Sequence, residues 1–143
     1  MARTDRFRQQ HNELLSLATE LQGLLNETAL AKDATAARTA LSKLMGKLTM
    51  HLSTEDKVLY PELEASKDPA VSTMARRFST EMKSTATAVG AYNARWGTPS
   101  AIKENPQTFI KETKGIVSVL ADRIKRENQE LYATADRSEG ATF

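Results

Sequence analysis

Apolar residues recurring at steps of three and four constrain this chain more than any other feature. From about Arg6 to Glu27, the residues His11, Leu14, Leu15, Ala18, Leu21 and Leu25 follow that step, which lines side chains along one face of an α-helix. A second segment opens near Asp33, a suitable N-cap, and carries Leu41, Leu44, Leu48, His51, Leu52, Glu55, Leu59 and Leu63. Pro61 lies inside this pattern and predicts a kink or an end about one turn before Leu63. Asp68 and Pro69 read as the N-cap and first residue of a third helix, striped by Val71, Met74, Ala75, Phe78, Met82, Thr85, Val89, Tyr92 and Trp96 up to Gly97. GTPSAIKENP, residues 97–106, reads as a loop-like insertion. A last helix from about Gln107 to Ala135 presents Phe109, Thr113, Val117, Leu120, Ile124, Glu127 and Leu131, and the stretch from about 136 reads as a flexible tail from which Phe143 could dock locally. Four amphipathic segments with short connections predict an all-α, up-and-down antiparallel four-helix bundle, with residues 1–143 as one domain.

The totals agree with that reading and remove several classes of function. A chain of 143 residues suits a single core, and only four prolines and six glycines favour helix. The absence of cysteine excludes disulfides and thiolate metal sites, leaving nitrogen and oxygen as the strong metal donors. Twenty basic against eighteen acidic residues give a net charge of +2, without a stripe that points to nucleic acid. No apolar run is long enough for a membrane span, and no signal-peptide order opens the chain, so a cytoplasmic protein without a membrane partner is expected. Neither a Gly-rich phosphate loop nor a separate acid–base dyad argues for an enzyme, although oxygen or peroxide chemistry at a non-heme metal stays open.

The stretch HLSTEDKVLYPEL, residues 51–63, breaks the apolar logic. Val58, Leu59 and Leu63 continue the inward stripe, yet His51 and Glu55 stand on it four residues apart, where a helix stacks them on one face. Burying an unpaired carboxylate costs at least several kcal/mol, so Glu55 requires a cation or a proton. His11, the only other histidine, also lies on an inward stripe, and antiparallel neighbours bring His11 and His51 to one level. Glu127 adds a fourth inward position and a second acid. Aligning HLSTEDKVLYPEL with RIKRENQELYATA, residues 123–135, superimposes His51 on Arg123, Glu55 on Glu127 and Tyr60 on Tyr132, while Gln10-His11 corresponds to Glu81-Met82. An internal repeat of two helical hairpins follows from this register.

With these residues in place the chain resembles the hemerythrin-like HHE cation-binding family. That family's pattern is a histidine on helix one, His-x-x-x-Glu on helix two with Leu-Tyr-Pro often following, a histidine on helix three and a second His-x-x-x-Glu on helix four. The resemblance implies a four-helix bundle holding two non-heme irons bridged by carboxylates, with roles in dioxygen binding, iron or oxygen sensing, and stress. Here His11, His51, Glu55 and Glu127 match, whereas Met82 and Arg123 stand in place of histidines, and both losses fall on the same iron.

The expectation is therefore a metal site of His11, His51, Glu55 and Glu127, holding one iron rather than two, with manganese or zinc compatible. Arg123 is expected to fill the second metal's volume as a charge-compensating cation paired with Glu55, Glu127 or Glu81, and Glu81 is a further candidate ligand. Met82 reads as packing more than as a thioether ligand, and Tyr60 and Tyr132 read as packing residues with hydroxyls at the bundle end. Small residues at Ala18, Ala75 and Thr85 leave room for a narrow access tunnel. Dioxygen is the small-molecule partner that the resemblance implies, and a protein partner or dimer stays open. The competing reading is a metal-free helical interaction module in which Arg123 replaces the metal charge and Trp96, Ile102 and Phe109 form a partner surface.

Overall fold

The computed structural model describes residues 4–141, and helix is the only regular secondary structure among them. The helices are α1 (Asp5–Gln22), α2 (Glu27–Lys32), α3 (Thr35–Thr54), α4 (Tyr60–Glu64), α5 (Pro69–Arg95), α6 (Pro99–Glu104), α7 (Pro106–Arg126) and α8 (Ala133–Ala141). Two π-helical segments, Glu55–Leu59 and Glu127–Tyr132, join α3 to α4 and α7 to α8 without a break. Local chemistry sets most boundaries. The Asp33 carboxylate accepts from the Thr35 N–H at 2.9 Å, Asp68 from Ala70 at 3.0 Å and Thr98 Oγ1 from Ala101 at 3.2 Å, each supplying an acceptor that the first helical turn lacks.

Pro61 does not end its helix. Its missing N–H falls beyond the π-helical segment, where the Tyr60 N–H bonds to the Glu55 carbonyl five residues back, so the turn before the proline is already wider than an α-turn. The stretch 97–106 differs from expectation as well: Thr98 and Pro99 start α6, which packs with α2 and α7. Trp96, Ile102 and Phe109 are 2%, 0% and 0% exposed, so the partner surface expected around them is interior packing. Asp136, expected at the head of a flexible tail, lies within α8 and accepts from Thr4 Oγ1 at 2.7 Å and Arg8 Nη2 at 3.1 Å; Phe143 lies outside the described residues. Among the described residues no helix is long and apolar enough to cross a membrane.

The stripes bury largely as their spacing dictates. Helix α1 packs on α3 and α7, α4 packs on α5, and the second π-helical segment also lies against α5. Leu15 and Val58 are exceptions, 37% and 55% exposed, because each sits on the shoulder of a stripe whose centre is held by Leu14 or Leu59. The core has two apolar parts. One gathers Leu14, Leu21, Leu44, Trp96 and Phe109, and the other Phe7, Leu63, Phe78, Met82 and Leu131. His11 falls between Phe7 and Leu14 in α1, and His51 and Glu55 between Leu48 and Leu59, so the buried polar residues occupy the boundary between the two parts.

Trp96 sets its ring edge-on to Phe109, with centroids 5.3 Å apart, and donates through its indole N–H to Glu112 at 3.3 Å. Trp96→Ala is expected to cost about 3–5 kcal/mol of unfolding free energy in a urea titration, whereas Asp68→Ala is expected to cost about 1 kcal/mol through loss of the α5 cap.

Candidate metal centre

Each inward acid begins a π-helical segment, and a tyrosine five residues later closes it: Glu55 with Tyr60, Glu127 with Tyr132. An i to i−5 pattern brings residues five apart towards one side of the helix, as an α-helix does for residues four apart. The tyrosine hydroxyls consequently face the acids of the opposite repeat. Tyr60 donates to Glu127 Oε2 at 2.6 Å, and Tyr132 donates to Glu55 Oε2 at 3.0 Å.

The histidines are held by a second crossing pair. His11 Nδ1 lies 2.8 Å from Asn128 Oδ1 and His51 Nδ1 lies 2.6 Å from Gln10 Oε1. Each amide oxygen is an acceptor only, so each Nδ1 carries the proton and each Nε2 presents a lone pair. The two Nε2 atoms face each other at 3.0 Å. Glu127 Oε1 stands 3.3 Å from His11 Nε2, and Glu55 Oε1 stands 2.9 Å from His51 Nε2. One donor atom from each of the four residues lies within 4.8 Å of the others, and all four residues are buried.

This arrangement is unfavourable without a positive charge at its centre. Two lone pairs at 3.0 Å repel, and Glu55 Oε1 carries no hydrogen bond although it is buried. Burial pushes the Glu55 carboxyl well above the usual carboxylate range, and the Glu127 charge adds to the rise. Burial opposes ionisation of Glu127 as well, but a hydrogen bond from Glu55 and the Arg123 charge outweigh it and lower its pKa. Burial also lowers the pKa of His51, against the pull of Glu127. A proton on Glu55 relieves part of the conflict, whereas a divalent ion gives all four donor atoms a partner. The residues therefore fit a metal ion by donor type, by burial and by the oxygen left without a partner.

Arg123 is 5% exposed, and of its three expected partners it pairs with Glu81, at 3.9 Å, and not directly with Glu55 or Glu127. Its Nη2 donates to the Tyr60 hydroxyl and the Phe78 carbonyl, both at 2.8 Å, so it reaches Glu127 only through Tyr60. Glu81 lies 3.9 Å from Arg123 and bonds to Arg126 at 2.9 Å; at 38% side-chain exposure it stands apart from the four buried donors. Met82 is buried in the apolar part with Phe78 and Val71. A small cavity of about 20 Å³, walled by Leu14, Ala18, Leu48 and Leu120, ends at His51, Glu55, Arg123 and Glu127. Of the three small residues expected to line a tunnel, Ala18 lines this cavity, Ala75 is packed in the core and Thr85 borders a separate open groove.

A family model, Hemerythrin HHE cation binding domain, matches residues 2–135. The chain belongs to this family. Comparisons with curated proteins and with solved structures gave no match. As a member of the hemerythrin HHE family, the protein has a cation-binding fold, and its buried His11, His51, Glu55 and Glu127 form the candidate cluster. Sequence reasoning missed the roles of Gln10, Asn128, Tyr60 and Tyr132 in this hemerythrin HHE domain. The repeat register placed a tyrosine five residues after each acid, which was the available signal for two of them; the amides carried none.

In metal-free protein held in chelator, Arg123→Met is expected to destabilise by about 3–5 kcal/mol, because Glu127 then keeps a buried charge without its nearest cation. Adding Glu127→Gln to that variant should return roughly 1–3 kcal/mol relative to the sum of the single changes, read as the coupling in a double-mutant cycle of denaturant unfolding.

Proposed function

We propose that this hemerythrin HHE domain binds one divalent metal ion, read as iron with manganese and zinc compatible in donor type, between His11 Nε2, His51 Nε2, Glu55 Oε1 and Glu127 Oε1. The observation that carries the reading is the approach of two imidazole lone pairs to 3.0 Å beside a buried carboxylate oxygen that has no hydrogen bond. Two carboxylates balance the charge of a 2+ ion, and two neutral imidazoles complete a nitrogen and oxygen set suited to first-row metals. The long helical stretches from α1, α3 with α4, α5, and α7 with α8 are proposed to form the hemerythrin-like up-and-down four-helix arrangement around it.

A single ion is favoured by what stands in the other half of the repeat. Arg123 and Met82 occupy the positions equivalent to His51 and His11, and neither supplies a nitrogen donor. The Arg123 guanidinium stays protonated and is already committed to Tyr60 and Phe78. When bound, iron supplies a redox couple with affinity for dioxygen, which fits a sensing, storage or oxygen and stress-related role. The protein's part is to hold four donor atoms in a water-poor interior and to present a small apolar cavity beside Glu55 and Arg123. A metal-free network needs a proton between Glu55 Oε1 and His51 Nε2, 2.9 Å apart, and still leaves the two imidazole nitrogens facing each other at 3.0 Å, which disfavours it.

The test uses protein without an affinity tag, incubated with Fe(II) under anaerobic conditions, desalted and assayed for metal. About one equivalent per chain is expected, with a stability gain of about 2.7 kcal/mol when free ion exceeds Kd 100-fold. His51→Ala and Glu127→Ala should lose the metal while keeping the helical circular dichroism spectrum. Retention of no iron by the parent protein overturns metal binding, and the visible spectrum of an oxo-bridged iron pair overturns the single ion.

A further inference from the structure

We propose that Tyr60 and Tyr132 are positioning residues that hold Glu127 and Glu55 to one-oxygen coordination and thereby restrict the pocket to ions satisfied by few ligands. This rests on the metal-site reading above and concerns how the site chooses among cations.

A free carboxylate can offer a metal one oxygen or both. Here each acid has Oε2 engaged by a phenol from the other repeat, at 2.6 Å for Glu127 and 3.0 Å for Glu55, while Oε1 faces the histidines. Swinging Oε2 towards the centre breaks a buried hydrogen bond, leaving the Tyr60 hydroxyl without an acceptor and the Tyr132 hydroxyl with only its longer, 3.4 Å contact to His11 Nε2. Both phenols keep their protons, since burial and the two carboxylates raise their pKa values.

The phenols are themselves fixed. Tyr60 Oη accepts from Arg123 Nη2 at 2.8 Å, and the same nitrogen is anchored on the Phe78 carbonyl, so the single Tyr60 proton is directed at Glu127. Tyr132 stacks on His11 with centroids 5.3 Å apart and planes 13° from parallel, and Arg8 lies over its ring at 5.5 Å. Both rings are buried, Tyr60 at 1% and Tyr132 at 0% exposure. Arg123 thus reaches the ligand set through Tyr60, orienting a donor instead of contacting a carboxylate.

The consequence is selectivity by coordination number. Ca²⁺ takes six to eight oxygens and uses two-oxygen carboxylates freely, while Mg²⁺ retains several waters. Four single-atom donors in a buried site suit neither and suit a first-row ion of low coordination number. The two clamps are unequal, because only the Tyr60 hydroxyl accepts a hydrogen bond from a guanidinium, whereas Arg8 lies over the face of the Tyr132 ring.

Co(II) provides the probe, since four- and five-coordinate Co(II) absorbs visible light far more strongly than six-coordinate Co(II). The full chain, titrated with Co(II), should give an intense visible band. Tyr60→Phe and Tyr132→Phe should each weaken Co(II) binding roughly 10- to 100-fold. At saturation each should also show a weaker band per bound ion, as the released carboxylate adds its second oxygen, and the double variant should go further. Arg123→Lys should resemble a mild Tyr60→Phe and leave the Glu55 clamp untouched. Circular dichroism checks folding, and if one tyrosine variant does not fold, the other carries the test through the reciprocal contact. Variants that bind Co(II) with the parental affinity and band intensity overturn the inference, since a packing role alone predicts lost stability with an unchanged spectrum. If the parent chain takes up no Co(II), the metal-site reading itself fails, and that result is distinct from the first.

Discussion

Four donor atoms aimed at one point are the constraint around which the rest of this molecule is arranged. One donor atom from each of His11, His51, Glu55 and Glu127 lies within 4.8 Å of the others, in a place where water cannot relieve their mutual repulsion. The apolar residues gather on either side of that place, and the cost of the polar belt is offset by the large side chains above and below it, such as Trp96 and Phe109 in one part and Phe78 and Leu131 in the other. Each donor is held from behind by a residue on a different helical segment: His11 by Asn128, His51 by Gln10, Glu55 by Tyr132 and Glu127 by Tyr60. The supports interlock α1, α3, α4 and both π-helical segments, so that moving one helix disturbs ligands on two others.

Much of this was legible before any coordinates, because burial of a helix leaves a three-and-four signature and polar residues on that signature are conspicuous. His11, His51, Glu55 and Glu127 stood out for that reason. What could not be read was the geometry of turns that are not α-helical. No propensity marks a π-helical segment; Pro61 hints at the first, but nothing comparable follows Glu127. Under α-helical spacing Tyr60 and Tyr132 point away from the acids they serve, which is why their hydroxyls were expected at a bundle end. The stretch 97–106 failed differently. Its Gly-Thr-Pro and Asn-Pro pairs are strong breakers, yet Thr98 and Pro99 are equally good helix starters, and burial of Ile102 settles the contest. Gln10 and Asn128 are ordinary polar residues beside ligands, and only the third dimension shows which ring each one faces.

The two repeats also show how a symmetric scaffold becomes asymmetric. The reciprocal tyrosine contacts preserve the relation between the halves, and so do the paired π-helical segments. At His51 and Arg123 the relation is broken: one half offers a neutral nitrogen lone pair, the other a permanent cation with donors alone. Because the guanidinium is anchored on the Phe78 carbonyl and on Tyr60, it is part of the frame rather than a guest in the pocket. Met82, opposite His11 in the repeat, adds apolar volume on the same side. Met82 and Arg123, which depart from the repeat's histidines, are thus both committed to packing and to the frame.

The near-complete enclosure of the cluster bears on time as well as energy. His11 and Glu55 are 0% exposed, Glu127 2% and His51 4%, so the donor atoms are shielded from bulk solvent, and the small apolar cavity is what borders them. The grip of Thr4 and Arg8 on Asp136 pins the start of α1 to α8 and opposes their separation. Entry and departure of any guest are then governed by the frequency of transient opening, not by its concentration alone. Under the proposed reading, exchange of an ion in such a chamber is paced by those openings, and a bound ion outlasts brief changes in its surroundings.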